Sequence, residues 1–144
     1  MHENRGTVTH LQICAAHRAP MQDRELLRAV ADLGLEGDLH AKRGSARQVL
    51  FMDAETLAAF GLSEGSVREN ITTNGIDLKA LAAGTRLRVG SAVFEITKAC
   101  APCEFINDLR PGLREEMEGR RGMLARVIKG GEMRVGDTIE ALKA

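Results

Sequence analysis

Arg86-Leu87-Arg88-Val89-Gly90-Ser91-Ala92-Val93-Phe94-Glu95-Ile96 decides the fold class. Leu87 and Val89 alternate with arginines. A Gly-Ser pair follows, then a second apolar run begins at Ala92. Two alternating runs around a two-residue turn predict a β-hairpin.

The same pattern recurs outward from this hairpin. Residues 7–16 (TVTHLQICAA), 47–52 (RQVLFM), 123–128 (MLARVI) and 138–142 read as strands, and 66–73 as an extended segment ending in the Asn74-Gly75 turn. Leu26, Leu27, Val30 and Leu33 stand at helical spacing between Asp23 and Gly34, which predicts a helix over residues 24–33. Asp53 caps a short helix over 54–60, and another is expected over 77–83. One or two more fall between 105 and 117, broken at Pro111-Gly112. The sum is roughly seven short strands with glycine turns. That predicts a mainly β fold, a closed or partly closed β-barrel with a few short decorating helices. It forms a single domain over 1–144. No internal repeat, P-loop or G-x-G-x-x-G occurs.

Bulk composition narrows the function. Twenty Lys and Arg balance twenty Asp and Glu, Trp and Tyr are absent, and Phe numbers four. Nucleic-acid surfaces use a basic excess and stacked aromatics, so the chain is read as binding no nucleic acid. No apolar run reaches membrane-spanning length and the N-terminus lacks a signal-peptide core, so a cytoplasmic protein with no membrane partner is expected. Three cysteines in that compartment suit reactivity, metal binding or plain burial better than disulfide staples. Cys14, inside a predicted strand, reads as a small buried hydrophobe.

The chemistry concentrates in Lys98-Ala99-Cys100-Ala101-Pro102-Cys103-Glu104, directly after a predicted strand. Such a pair can act as a dithiol, as part of a metal site, or as one reactive thiolate. A thioredoxin-type fold is disfavoured, because about a hundred residues precede the motif and no Trp stands before it. A zinc site would need Cys14 with one of His2, His10, His17 or His40, none at tight ligand spacing. The single-thiolate reading gains from other segments. Gly34-Leu35-Glu36-Gly37-Asp38-Leu39-His40 gathers carboxylates and an imidazole. Arg47, the triplet Arg68-Glu69-Asn70, Arg120-Arg121-Gly122 and Arg126 flank predicted strands. Together they suggest Arg, Asn and His groups converging on an anion beside Cys103.

The ordered blocks GLEGDLH, RQV, RENITTNGIDL, LRVGSAVFEIT, APC and RGMLARVIKGGEMRVGD resemble the MOSC family, the C-terminal domain type of molybdenum cofactor sulfurases. The resemblance runs from Gly34 to Asp137 and implies a mostly β, barrel-like domain. It implies that molybdenum cofactor (molybdopterin) is bound, with Cys103 as the thiolate ligand to molybdenum, or that Cys103 carries sulfur as a persulfide. Arg47, Arg68, Asn70 and Arg126 become candidates for the pterin and its phosphate, and Asp38 or His40 for proton delivery. The expected activity is molybdenum-dependent reduction or sulfur transfer. The implied partners are a small-molecule substrate, a sulfur donor or acceptor protein, and an electron-donor protein. Cys100 departs from the family pattern and stands either as a resolving thiol or as an inert neighbour. A metal-free dithiol protein using Cys100 and Cys103, and a non-catalytic binding domain, are the alternatives.

Overall fold

The computed structural model describes residues 4–103 and 105–142; His2 lies outside them. The strands are β1 (Arg5–Ile13), β2 (Gln22–Arg24), β3 (Leu26–Val30), β4 (Gly34–Leu35), β5 (Val49–Asp53), β6 (Ile71–Asn74), β7 (Arg86–Val89), β8 (Ala92–Ala99), β9 (Met123–Lys129), β10 (Gly131–Arg134) and β11 (Thr138–Ala141). The helices are α1 (Ala54–Ala59), α2 (Ile106–Leu109) and α3 (Leu113–Glu116), with one 3₁₀ turn at Leu78–Ala80.

Seven strands close a barrel in the order β1-β6-β5-β9-β8-β7-β11, and β11 returns to pair with β1. Closure leaves no free edge in that ring. The β7–β8 hairpin forms as read, with Val89 opposite Ala92 and Gly90 in a left-handed conformation at φ 57°. Inward residues of these strands fill the interior, and Phe51 meets Phe94 edge-on with centroids 5.2 Å apart. Among the described residues only β5 and β6 pair in parallel. That geometry needs a crossover, which α1 and the following loop supply. Asp53 caps α1, its carboxylate accepting the Thr56 N–H at 3.0 Å. Pro111-Gly112 separates α2 from α3.

The helix expected over residues 24–33 is replaced by β2 and β3. Leu27 and Ala29 alternate inward, and β3 pairs with β10, placing Leu27 opposite Met133. Helical spacing in so short a segment yields to long-range pairing. The extended segment expected from residue 66 becomes strand only at Ile71, because Arg68 takes a left-handed backbone at φ 63°.

A bulge in β8 positions the cysteines. Between Ile96 and Lys98 the β8–β9 register slips by one residue. A one-residue slip reverses which face each side chain meets. Ala92, Phe94 and Ile96 point into the barrel, whereas Cys100 lodges against Leu50 and Leu124 in a separate cluster. The Cys100 N–H then donates to Gly122 O at 2.9 Å. Gly122 stands at φ 105°, and a Cβ there would collide with the Phe51 carbonyl oxygen. Gly119 is also left-handed, at φ 78°, but faces open space. Gly119→Ala should therefore cost about 1 kcal/mol, and Gly122→Ala about 3 kcal/mol or more, in denaturant unfolding. Equal losses would mean that the close approach at Gly122 is relieved by backbone movement.

Candidate functional site

A cavity of about 720 Å³ lies against the outside of the barrel, within the range of small-molecule and cofactor sites. Leu50 of β5 and Leu124 of β9 form its apolar part. The turn after β1 brings His17 and Arg18, the loop after β4 brings Leu39 and His40, and Arg47 precedes β5. Arg68 and Asn70 enter just before β6. Cys100, Cys103, Phe105 and Asp108 come from the chain after β8, and Arg121 stands before β9. Among the described residues four guanidinium groups thus line the cavity with one carboxylate, that of Asp108.

The two thiols differ in access. Cys103 is exposed and Cys100 is buried. Both line the cavity.

Behind the wall lies a hydrogen-bonded seam. Asp38 Oδ1 accepts the Cys14 N–H at 2.9 Å and Asn70 Nδ2 at 3.2 Å, and Oδ2 accepts the His40 N–H at 3.1 Å. The His40 ring approaches Oδ2 at 3.6 Å. Burial by itself would raise the Asp38 carboxyl. The His40 side chain and the N–H donors of Cys14 and His40 outweigh it, and the net direction is below the ordinary value of 3.8. Asp38 is therefore a carboxylate at neutral pH, held by donors of the chain itself. The Asn70 amide is engaged as well, with Nδ2 also donating to Gln12 O at 3.2 Å and Oδ1 accepting the Leu50 N–H at 3.0 Å.

Arg121 is the feature that sequence reading left unassigned. It is only 4% exposed, yet its buried Nε and Nη1 have no hydrogen-bond partner. Its guanidinium carbon sits 5.4 Å from the Phe105 ring centroid, a cation–π distance. In the sequence it was one of several arginines beside a strand, and burial is what sets it apart.

Of the residues anticipated for the site, Cys100, Cys103, His40, Arg47, Arg68 and Asn70 meet at the cavity. Asp38 supports the wall from behind. Arg126 is not brought in; it pairs with Glu95, its cross-strand neighbour, at 2.6 Å. Cys14 is buried as expected, but its Sγ accepts a hydrogen bond from Arg68 Nη2 at 2.9 Å. Among the described residues no three His, Cys, Asp or Glu side chains gather to hold a metal ion. Nor is any helix among them long and apolar enough to cross a membrane.

Comparison with known proteins now bears on this arrangement. A family profile described as MOSC domain matches residues 38–140. The chain belongs to the MOSC domain family. This MOSC domain is similar to the YUAD protein from Bacillus subtilis, with a TM-score of 0.81 at 21% sequence identity over 95% of each chain. It is similar to YiiM from Escherichia coli, with a TM-score of 0.76 at 20% identity, over 97% of this chain and 70% of that one. For YiiM from Geobacillus stearothermophilus the TM-score is 0.70 at 15% identity, over 96% and 73%. At these identities the likeness is one of fold. No curated protein matches the sequence significantly.

Asp38→Asn should be destabilising at pH 7 by about 1–3 kcal/mol, because an amide NH₂ must oppose one of the donors now satisfied. The lowered carboxyl of the folded state contributes stability above its ordinary value of 3.8, and that stability is lost as pH falls through the lower folded value. The gap between wild type and variant should therefore narrow below pH 3.8 in denaturant titrations. A gap independent of pH would remove the ionised carboxylate from this account.

Proposed function

We propose that this MOSC domain binds molybdenum cofactor in the cavity, with Cys103 as the protein's soft thiolate ligand. The reading is carried by one juxtaposition. An exposed thiol and Arg121, whose buried Nε and Nη1 have no hydrogen-bond partner, share a cavity lined among the described residues by four arginines and one carboxylate. A buried charge without a partner is costly in a protein interior, and an anionic ligand offsets that cost.

The donor set fits the group. Cys103 would hold the metal through its thiolate, and the pterin dithiolene would supply the other soft ligands. The phosphate suits the forks of Arg121, Arg47 and Arg68, which match oxyanion geometry. Leu50, Leu124 and Phe105 offer an apolar surface for a ring system. Bound molybdenum supplies redox chemistry at the metal. The chain's part is to fix the anion, present one thiolate and place His40 and His17 where a proton can be exchanged with substrate. On this reading the domain acts in molybdenum-dependent reduction of a small molecule supplied with electrons by a partner protein.

A second reading, sulfur carriage on Cys103 as a persulfide, is favoured by the presence of Cys100 in the same cavity. A sulfur carrier would be metal-free and would show a sulfur mass increment on Cys103.

Metal analysis of protein purified from a molybdate-supplied host separates the two. Molybdenum should be retained by the wild type and reduced at least about tenfold in Cys103→Ser. Arg121→Gln should weaken a phosphorylated pterin about ten- to a hundredfold, the equivalent of one charge-assisted bidentate contact, while Arg24→Ala on exposed β2 should not. Arg121→Met should raise the stability of the ligand-free protein by about 1 kcal/mol, since it deletes an unpaired buried charge. Full molybdenum content in Cys103→Ser would sink the cofactor assignment.

A further inference from the structure

Cys14 takes no part in the proposed chemistry, yet three elements converge on it. Its N–H donates to Asp38 at 2.9 Å and its carbonyl accepts the Leu39 N–H at 2.7 Å. Its Sγ donates to the Ala16 carbonyl at 3.1 Å and lies 3.5 Å from that of Ala19. The same sulfur accepts Arg68 Nη2 at 2.9 Å, and that nitrogen also reaches Ala19 O at 2.6 Å. The turn after β1 is thus held from below by one thiol and one guanidinium. The turn carries His17 and Arg18, both lining the cavity. Arg18 and Arg68 are each held in left-handed backbone conformations, at φ 64° and φ 63°. Such conformations persist in non-glycine residues only where surrounding contacts fix them.

We propose that Cys14 is a positioning residue for the anion cavity. With Arg68 it latches residues 15–19, so that the Arg68 fork, His17 and Arg18 stand in place for an oxyanion. The chemistry needs a group that donates to a carbonyl and accepts from a guanidinium at once. A thiol does both, its large sulfur tolerating several partners, and a serine hydroxyl can do both as well. Alanine can do neither. The inference rests on the anion reading of the cavity, and its test has an arm that does not.

The first arm is iodoacetamide labelling of the folded protein, read peptide by peptide by mass spectrometry. Cys100, also buried, serves as the internal reference for global opening. Arg68→Ala should speed Cys14 labelling at least about tenfold relative to Cys100. An unchanged Cys14 rate, or a rise matched by Cys100, overturns the latch. The second arm is calorimetric titration with inorganic phosphate. Cys14→Ala should weaken binding by about threefold or more, and Cys14→Ser should stay within about twofold of wild type. Adding Cys14→Ala to Arg68→Ala should weaken it no further, because Cys14 acts through Arg68. Unchanged affinity in Cys14→Ala, or additive losses in the double variant, overturns the positioning role. Wild-type protein that binds no phosphate overturns the oxyanion part, and labelling alone then decides whether the latch exists.

Discussion

Strand β5 is covered on both faces, and the barrel and the cavity both depend on that. Val49 and Phe51 point inward, where Phe51 meets Phe94 at the centre of the main core. Met52 points outward into the cluster that holds Leu57 of α1, Ile106 of α2 and Leu113 of α3. A strand buried on both sides cannot slip by one residue without forcing Phe51 and Met52 into spaces packed around side chains of other shape. Its register with β9 therefore sets Leu50 opposite Leu124. Those two leucines receive Cys100 once the β8 bulge has turned the chain outward. The same strand carries the polar seam, since Leu50 exchanges hydrogen bonds with Asn70, and Asn70 Nδ2 donates to Asp38. Barrel packing and cavity wall are two faces of one constraint.

Electrostatics follow from where the carboxylates are used. The chain is neutral overall, yet its cavity is strongly cationic. Elsewhere arginines meet acids on the surface: Arg28 with Glu132, Arg88 with Glu140, Arg110 with Glu116 and Arg126 with Glu95. Exposed pairs of this kind add little stability. Their consequence is one of distribution, for they occupy acids away from the cavity. A neutral protein thereby presents a local positive field.

Much of the fold was legible in the sequence where local chemistry decides it. The β7–β8 hairpin needs only alternation and Gly90, the α1 cap only Asp53, and the break between α2 and α3 only Pro111-Gly112. Residues 24–33 were misread because β3 exists through its pairing with β10, about a hundred residues away along the chain, and short-range spacing carries no record of that partner. The family resemblance gathered Cys103, Arg47 and Arg68 into one region. It did not separate Arg126, which neutralises Glu95, from Arg121, which has no partner for its buried Nε and Nη1. Both follow from burial and pairing, and neither quantity is written in residue identity. Cys14 illustrates the same limit. Its burial was legible from a strand position, whereas its contact with Arg68 spans two loops.

The buried carboxylate behind the wall completes the logic of the site. Asp38 is surrounded by donors, and their combined effect keeps it ionised despite its burial. Its negative charge lies behind the cavity lining, where it holds the backbone of Cys14 and His40. From that position the acid orders the two loops through their backbone N–H groups rather than pairing with the guanidiniums that line the cavity. The imidazoles of His17 and His40 and the Cys103 thiol line the cavity, whereas Asp38 does not.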